Sequence, residues 1–179
     1  MPTYTVHDGG SAGPLIDALA ELYAIVYAEP PYCEGPEQVA RFREGLPDEA
    51  TRPGFTLAAA HDRDRLVGAA YGWTMPAGTW WSRADGEPPA DVREAAKLAV
   101  MEWIVHPARR SEGIGAELMR RLLADRPERY ATLASDPRSH ARQVYARNGW
   151  RQVGTSALPW GPPMDLLVLD LGREPVQGG

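Results

Sequence analysis

The chain holds a single cysteine, Cys33, among 179 residues. One thiol excludes an intrachain disulfide and a cysteine-built zinc site, and it fits a reducing, cytoplasmic setting. Long apolar runs are missing as well: none approaches the roughly 20 residues of a membrane-spanning helix. The first residues show no basic segment leading into an apolar one, so no secretory leader is expected. Positive charge is scarce, with 19 Lys and Arg against 24 Asp and Glu and a net charge of −5. That balance argues against a nucleic-acid surface and favours a cationic partner. The four histidines, His7, His61, His106 and His140, are scattered, and no metal is expected. No internal repeat is present.

Glycine and proline are plentiful, 18 and 17 residues, but they fall between periodic segments and form no low-complexity tract. The length and an apolar content of 44% suit one domain, 1–173, with a flexible tail at 174–179. The stretch from Ala99 to Ala124 organises the rest. Val100 to Val105 is a run of β-formers, ended by Pro107, which cannot extend a ladder. Gly113 and Gly115 follow, then an apolar stripe at Ile114, Leu118, Leu122 and Leu123 with helical spacing. Strand, tight loop and helix in this order aim backbone N–H groups and the positive helix end at one spot, an anion site. Glycines there let the backbone approach a ligand.

Two kinds of phosphate cradle fail on detail. A Walker loop needs Lys and then Ser or Thr after its last glycine, and Ala116-Glu117 stands there. A dinucleotide fingerprint needs a third glycine where Leu118 stands. Arg110-Ser111-Glu112-Gly113-Ile114-Gly115 instead resembles the acetyl-CoA signature of the GNAT superfamily of N-acetyltransferases, Gln/Arg-x-x-Gly-x-Gly/Ala. Val105-His106-Pro107 stands where that family has Val-x-Pro. Ala141 to Trp150 resembles a second family segment, Ala-x-x-Leu-Tyr-x-x-x-Gly-Phe.

The remaining periodicities predict a strand at Tyr4–Val6 and a helix from Pro14 carrying Leu15, Leu19, Leu22, Tyr23 and Val26. A second, shorter helix opens at Gly35-Pro36 with Val39, Ala40 and Phe42. Phe55–His61 and Leu66–Met75 read as antiparallel strands around a turn at 62–65. Pro76–Glu94 is a long loop with Trp80 and Trp81, read as a lid or as a cover for a sheet edge. Tyr130–Ala134 is a strand, and Asp136-Pro137 suits a helix start with Asp as cap. That helix stops at Asn148-Gly149. Trp150–Thr155 and Met164–Leu171 are the last strands, joined through Pro159–Pro163. This order resembles the GNAT fold from end to end. It implies an α/β (α+β) domain whose mixed central sheet has six to seven strands flanked by four helices.

The resemblance, closest to the family's bacterial small-molecule subgroup, implies an acetyl-CoA-dependent enzyme that transfers acetyl directly to a primary amine of a small molecule or exposed peptide. It places pantetheine on Ile104 and Val105, and pyrophosphate on the loop holding Arg109, Arg110, Ser111, Gly113, Ile114, Gly115 and Ala116. Arg138 stands where the family often has asparagine, and it reaches the phosphates or lies in solvent. Tyr145 matches the tyrosine whose phenol serves the departing thiolate, with a core aromatic as the alternative. Glu102, a lone carboxylate in an apolar strand, is the candidate base, since burial raises its pKa. It could equally lie on a solvated face or pair with an arginine. Tyr32, Trp80 and Trp81 are candidate walls of the acceptor cleft. The alternative function is a non-catalytic acyl-CoA-binding sensor. Expected partners are the amine substrate, with a homodimer as an option, and no nucleic acid and no membrane.

Overall fold

The computed structural model describes residues 1–157 and 162–172. The seven strands form a mixed sheet in the order β1-β2-β3-β4-β5-β7-β6. They are β1 Thr3–Asp8, β2 Thr56–Asp62, β3 Arg65–Met75, β4 Lys97–Val105, β5 Tyr130–Ser135, β6 Arg151–Ser156 and β7 Met164–Asp170. Five helices accompany them: α1 Ile16–Tyr27, α2 Pro36–Ala50, α3 Ala90–Glu94, α4 Ile114–Leu123 and α5 His140–Arg147. Two compact units share this order. The tail expected from 174 lies outside the described residues, as does most of the Pro159–Pro163 connection.

The first unit comprises residues 1–73 and 101–125. β1 runs antiparallel to β2 from Thr3↔His61 to Asp8↔Thr56, and β2 runs antiparallel to β3. Arg63-Asp64 turns the hairpin, with Arg63 in the left-handed region. Leu57, Ala59, Ala69 and Tyr71 join one core with Leu19, Leu22, Tyr23 and Val26 of α1 and Leu46 of α2. Alternate positions serve the other face: a Cβ on Gly68 would come within 2.9 Å of Ile114 Cγ2 and Leu118 Cδ1. The missing side chain lets α4 lie close on the sheet. Strands β2 and β3 are thus buried on both faces, which explains their near-continuous apolar runs.

The second unit comprises residues 74–100 and the described residues from 126 onward. The start of β4 pairs parallel with β5 over Lys97–Ala99 and Tyr130–Thr132. β7 lies between β5 and β6 and is antiparallel to both. Lys97 is fully buried, and its ammonium donates to the carbonyls of Val92, Arg93 and Ala95 at 2.7–3.2 Å. Burial, followed by repulsion from Arg93, draws its pKa down to about 8. Arg126 and Glu128 form a buried ion pair, and the Thr74 hydroxyl donates to the same carboxylate.

Several boundaries differ from the sequence-based expectations, and β4 begins at Lys97 and not Val100. α2 has 15 residues and is longer than α1 with 12. It continues past Gly45 to bury Leu46 and tolerates Pro47 in its last turns, so tertiary burial outweighs two helix-breaking residues. The cap of α5 is Ser139, whose Oγ accepts from the Arg142 amide at 3.3 Å, and not Asp136. Asp136 turns to Arg138 instead. The 76–94 loop holds the short helix α3.

Candidate active site

Strand β4 presents alternate side chains to opposite faces, as the pleat requires. Trp103 and Val105 face α4: the Trp103 indole donates to the Gly115 carbonyl at 2.9 Å, and Val105 Cγ2 lies 3.6 Å from where a Gly115 Cβ would stand. Glu102 faces α1, where the Tyr27 hydroxyl donates to its Oε2 at 2.6 Å.

Beyond β4 a 3-10 turn, Pro107–Arg109, leads into the loop. The backbone enters the left-handed region at Ser111 and again at Gly113, which caps α4 with φ 79°. Among the described residues, the amides from Ser111 to Ala116 meet no protein acceptor, and the first α4 ladder bond runs from Glu117 to Gly113. A Cβ on Gly113 would meet nothing within 4 Å, so open space lies beside this residue. This is a cradle fit for a pyrophosphate: main-chain donors, a helix N-terminus and room for the anion.

The two glycines have different tasks. Gly113 faces the open cradle, while Gly115 faces the strand, where a Cβ would stand 3.4 Å from Trp103 Nε1. The expectation that both clear the way for a ligand is corrected in this respect.

Charges around the cradle are internally matched. Arg109 binds Glu112 through Nε at 2.8 Å and Asp62 through Nη1 at 2.5 Å. The bond from Arg109 holds the Glu112 carboxyl below its usual range, so this anion is neutralised beside the cradle. Arg110 pairs with Glu29 at 2.8 Å. In the other unit, Arg138 makes a two-pronged bond to Asp136 at 2.7 and 3.0 Å. The donors of the cradle left without a protein acceptor are those of its main chain.

Around Glu102 the same unit gathers groups that sequence spacing missed. Tyr27 packs against Tyr23 and meets Tyr32 edge-on, with ring centroids 4.3 and 4.7 Å away. Tyr23 stacks on Phe42 and donates to Glu34 at 2.5 Å. Trp73 donates to Glu49. Burial pushes the Glu102 carboxyl up to about 8; the Tyr27 bond opposes this, and the negative charges of Glu34 and Glu49 add to it. Its Oε1 accepts no bond from any described residue and is not fully sealed from solvent.

The other candidates lie in the second unit. Tyr145 is buried on α5, its ring 6.0 Å from that of Trp150. Trp80 packs against Val92, Tyr130 and Val168, and Trp81 donates to the Thr132 hydroxyl at 3.0 Å. The following residues pair with β6 through an Ala84↔Ser156 bridge and bonds at 2.9 and 3.1 Å. Both tryptophans are thus anchored within this unit, in a loop that covers the edge of β6 and not in a free flap.

A sequence model of the acetyltransferase (GNAT) family matches residues 19–150. The chain belongs to the GNAT acetyltransferase family. It is an acetyl-CoA-dependent N-acetyltransferase, and the mixed seven-strand sheet is the fold of that family. Solved GNAT structures align over nearly the whole chain. An aminoglycoside 6'-acetyltransferase type Ii has a TM-score of 0.66 at 20% identity, with 97% of this chain and 99% of that one covered. A histone acetyltransferase HPA2-related protein from Corynebacterium glutamicum ATCC 13032 has 0.68 at 17%, covering 99% and 98%. PaiA N-acetyltransferase from Thermoplasma acidophilum, solved with coenzyme A, has 0.60 at 13%, covering 94% and 99%. No curated protein matches the chain. Nothing in these comparisons supports the non-catalytic sensor. No described helix is long and apolar enough to cross a membrane.

Proposed function

We propose that this GNAT enzyme acetylates a primary amine of a small, cationic acceptor by direct transfer, with Glu102 as base and Tyr145 as acid. The observation that carries the reading is the state of Glu102: half-buried, raised to about 8, with one oxygen held and the other unbonded. A carboxylate of that basicity suits proton removal from an ammonium near neutral pH. The carboxylates of Glu34 and Glu49 and the rings of Tyr27 and Tyr32 make its surroundings attractive to a cation.

Bound acetyl-CoA supplies a thioester whose carbonyl carbon the amine nitrogen attacks as the C–S bond breaks. Glu102 takes the ammonium proton on Oε1. Tyr145 gives its hydroxyl proton to the departing sulfur and recovers one from the nitrogen, which sheds its second proton as the amide forms. The amides of Ser111 to Ala116 hold the pyrophosphate, with Arg109 and Arg110 reinforcing the loop through Glu112, Asp62 and Glu29. The backbone of Ile104 and Val105, directly before the cradle, receives the pantetheine arm as an added strand would. Tyr32 forms part of the acceptor wall.

The family match runs through segments of both compact units, which supports reading residues 1–173 as one transferase domain. The lone exposed thiol of Cys33 fits a cytoplasmic enzyme. The structural relatives include aminoglycoside acetyltransferases as well as a histone acetyltransferase-related protein and a NatC complex bound to a peptide, so the preference for a small amine rests on the surroundings of Glu102.

Free-thiol release from acetyl-CoA, measured across alkyl diamines, aminoglycosides and peptide N-termini, tests the proposal. Turnover of cationic small amines supports it. Activity confined to peptides would overturn the acceptor class.

A further inference from the structure

We propose that Tyr27 is the positioning residue for Glu102: its hydroxyl holds Oε2 and thereby keeps Oε1 presented to the acceptor amine. The inference rests on Glu102 as the base and assigns a role to a residue in no recognised motif. Tyr27 ends α1, and two rings fix its own: Tyr23 from the preceding turn, tilted by 38°, and Tyr32, edge-on at 75°. A phenol gripped in this way has little freedom to follow its acceptor, so the carboxyl must conform to the phenol. The terminal torsion of a glutamate is broad, and an unheld carboxyl would turn either oxygen outward. A bond of 2.6 Å from a fixed donor removes that freedom.

The surrounding groups give the bond a second consequence. Facing Glu102 are Tyr23 and Tyr27 from α1, Glu34 from the connection after it, Glu49 from α2 and Tyr71 from β3, with Tyr32 behind Tyr27. Burial and the two other carboxylates favour the protonated acid, and the Tyr27 bond is the influence that opposes them. Tyr27 therefore sets both the direction of the base and the pH at which it becomes one. Through the edge contact of Tyr32, the connection between α1 and α2 bears on the same carboxyl.

The test titrates protein labelled with 13C at its glutamate carboxyls, the Glu102 signal being assigned by its loss in Glu102→Gln. Tyr27→Phe keeps the ring and its packing, and should raise the Glu102 midpoint by about one pH unit. Incorporating 3-fluorotyrosine at position 27, a stronger donor of nearly the same shape, should move it downward. With an active diamine, the low-pH limb of kcat/KM should move in step, and the acetyl-CoA Kd should stay within about twofold. Tyr27→Phe should cost no further rate in a Glu102→Gln background. An unmoved midpoint in both substituted proteins, or an equal rate loss without Glu102, overturns the proposal. If Glu102→Gln alone retains the limb, it is the base assignment that fails, while the carboxyl titration still decides whether Tyr27 holds Glu102.

Discussion

The Trp103 indole and the Gly115 carbonyl are joined at 2.9 Å, so one hydrogen bond ties β4 to the first turn of α4 where the cradle opens. A Cβ on Gly115 would stand 3.4 Å from the indole nitrogen, in van der Waals contact. Replacing Trp103 by Phe keeps an aromatic ring and removes the donor. A partly buried carbonyl left without its partner costs about 1–3 kcal/mol. Trp103→Phe should therefore lower the melting temperature by a few degrees and weaken acetyl-CoA binding about fivefold by calorimetry. Glu102 points to the other face of the strand, so kcat at saturating cofactor should change little. A fall in kcat with unchanged cofactor affinity would contradict this assignment.

Gly113 tests the cradle itself. Its φ of 79° is strained for any side chain, and β-branched residues suffer most there. Gly113→Val should cost about 1–2 kcal/mol of stability from the backbone alone. It should also abolish cofactor protection. Acetyl-CoA at a hundred times its Kd stabilises the native protein by about 2.7 kcal/mol, and that increment should vanish in thermal shift assays. Retained protection would place the anion elsewhere.

The strand, loop and helix from β4 to α4 were legible because their signals are local: a run of β-formers, a proline, glycines and a 3.6-residue stripe lie in one continuous stretch. Buried Ile114, Leu118 and Leu122 are the face which that stripe marks. The surroundings of Glu102 were not legible in this way. Tyr27 and Glu102 stand 75 residues apart, and no spacing rule joins them. Tyr27 could have been singled out one helical turn beyond Tyr23, on the apolar face of α1. Gly68 left a clearer sign: a glycine inside a strand pattern marks a close approach, and the helix it admits is α4. Asp136-Pro137 misled because both residues suit a helix start, while the bond to Arg138 left capping to Ser139.

Tyr145→Phe separates chemistry from binding. The substitution removes one hydroxyl from a buried ring packed near Trp150, so the helix and its core contacts persist. If this phenol serves the departing sulfur, kcat should fall by about 10²-fold, within the range for general acids. Acetyl-CoA affinity should stay within about twofold of the original. A wild-type kcat would assign the proton to another group.

Glu102 makes stability depend on pH with a definite sign. Its carboxyl is raised in the folded protein to about 8, from an ordinary value of 4.5. The folded state therefore holds this proton over a range in which the unfolded chain has released it. The contribution is fully present below about pH 4.5, declines as pH rises, and is lost once pH passes about 8. Glutamine at this position never ionises and still accepts the Tyr27 hydrogen bond. Glu102→Gln should match the original protein at pH 4.5 and then gain on it steadily. Above pH 8 the advantage should level off at about 2–4 kcal/mol, allowing for solvent at the unbonded oxygen. Urea unfolding of both proteins at pH 4.5, 6.5 and 8.5 gives the difference directly, and effects of other titrating groups cancel in it. Parallel curves would mean that Glu102 titrates normally, and a base that is already ionised at neutral pH would leave no acidic limb to find there. The kinetic counterpart has the opposite slope: activity should rise with pH over the interval in which stability falls, because one proton governs both.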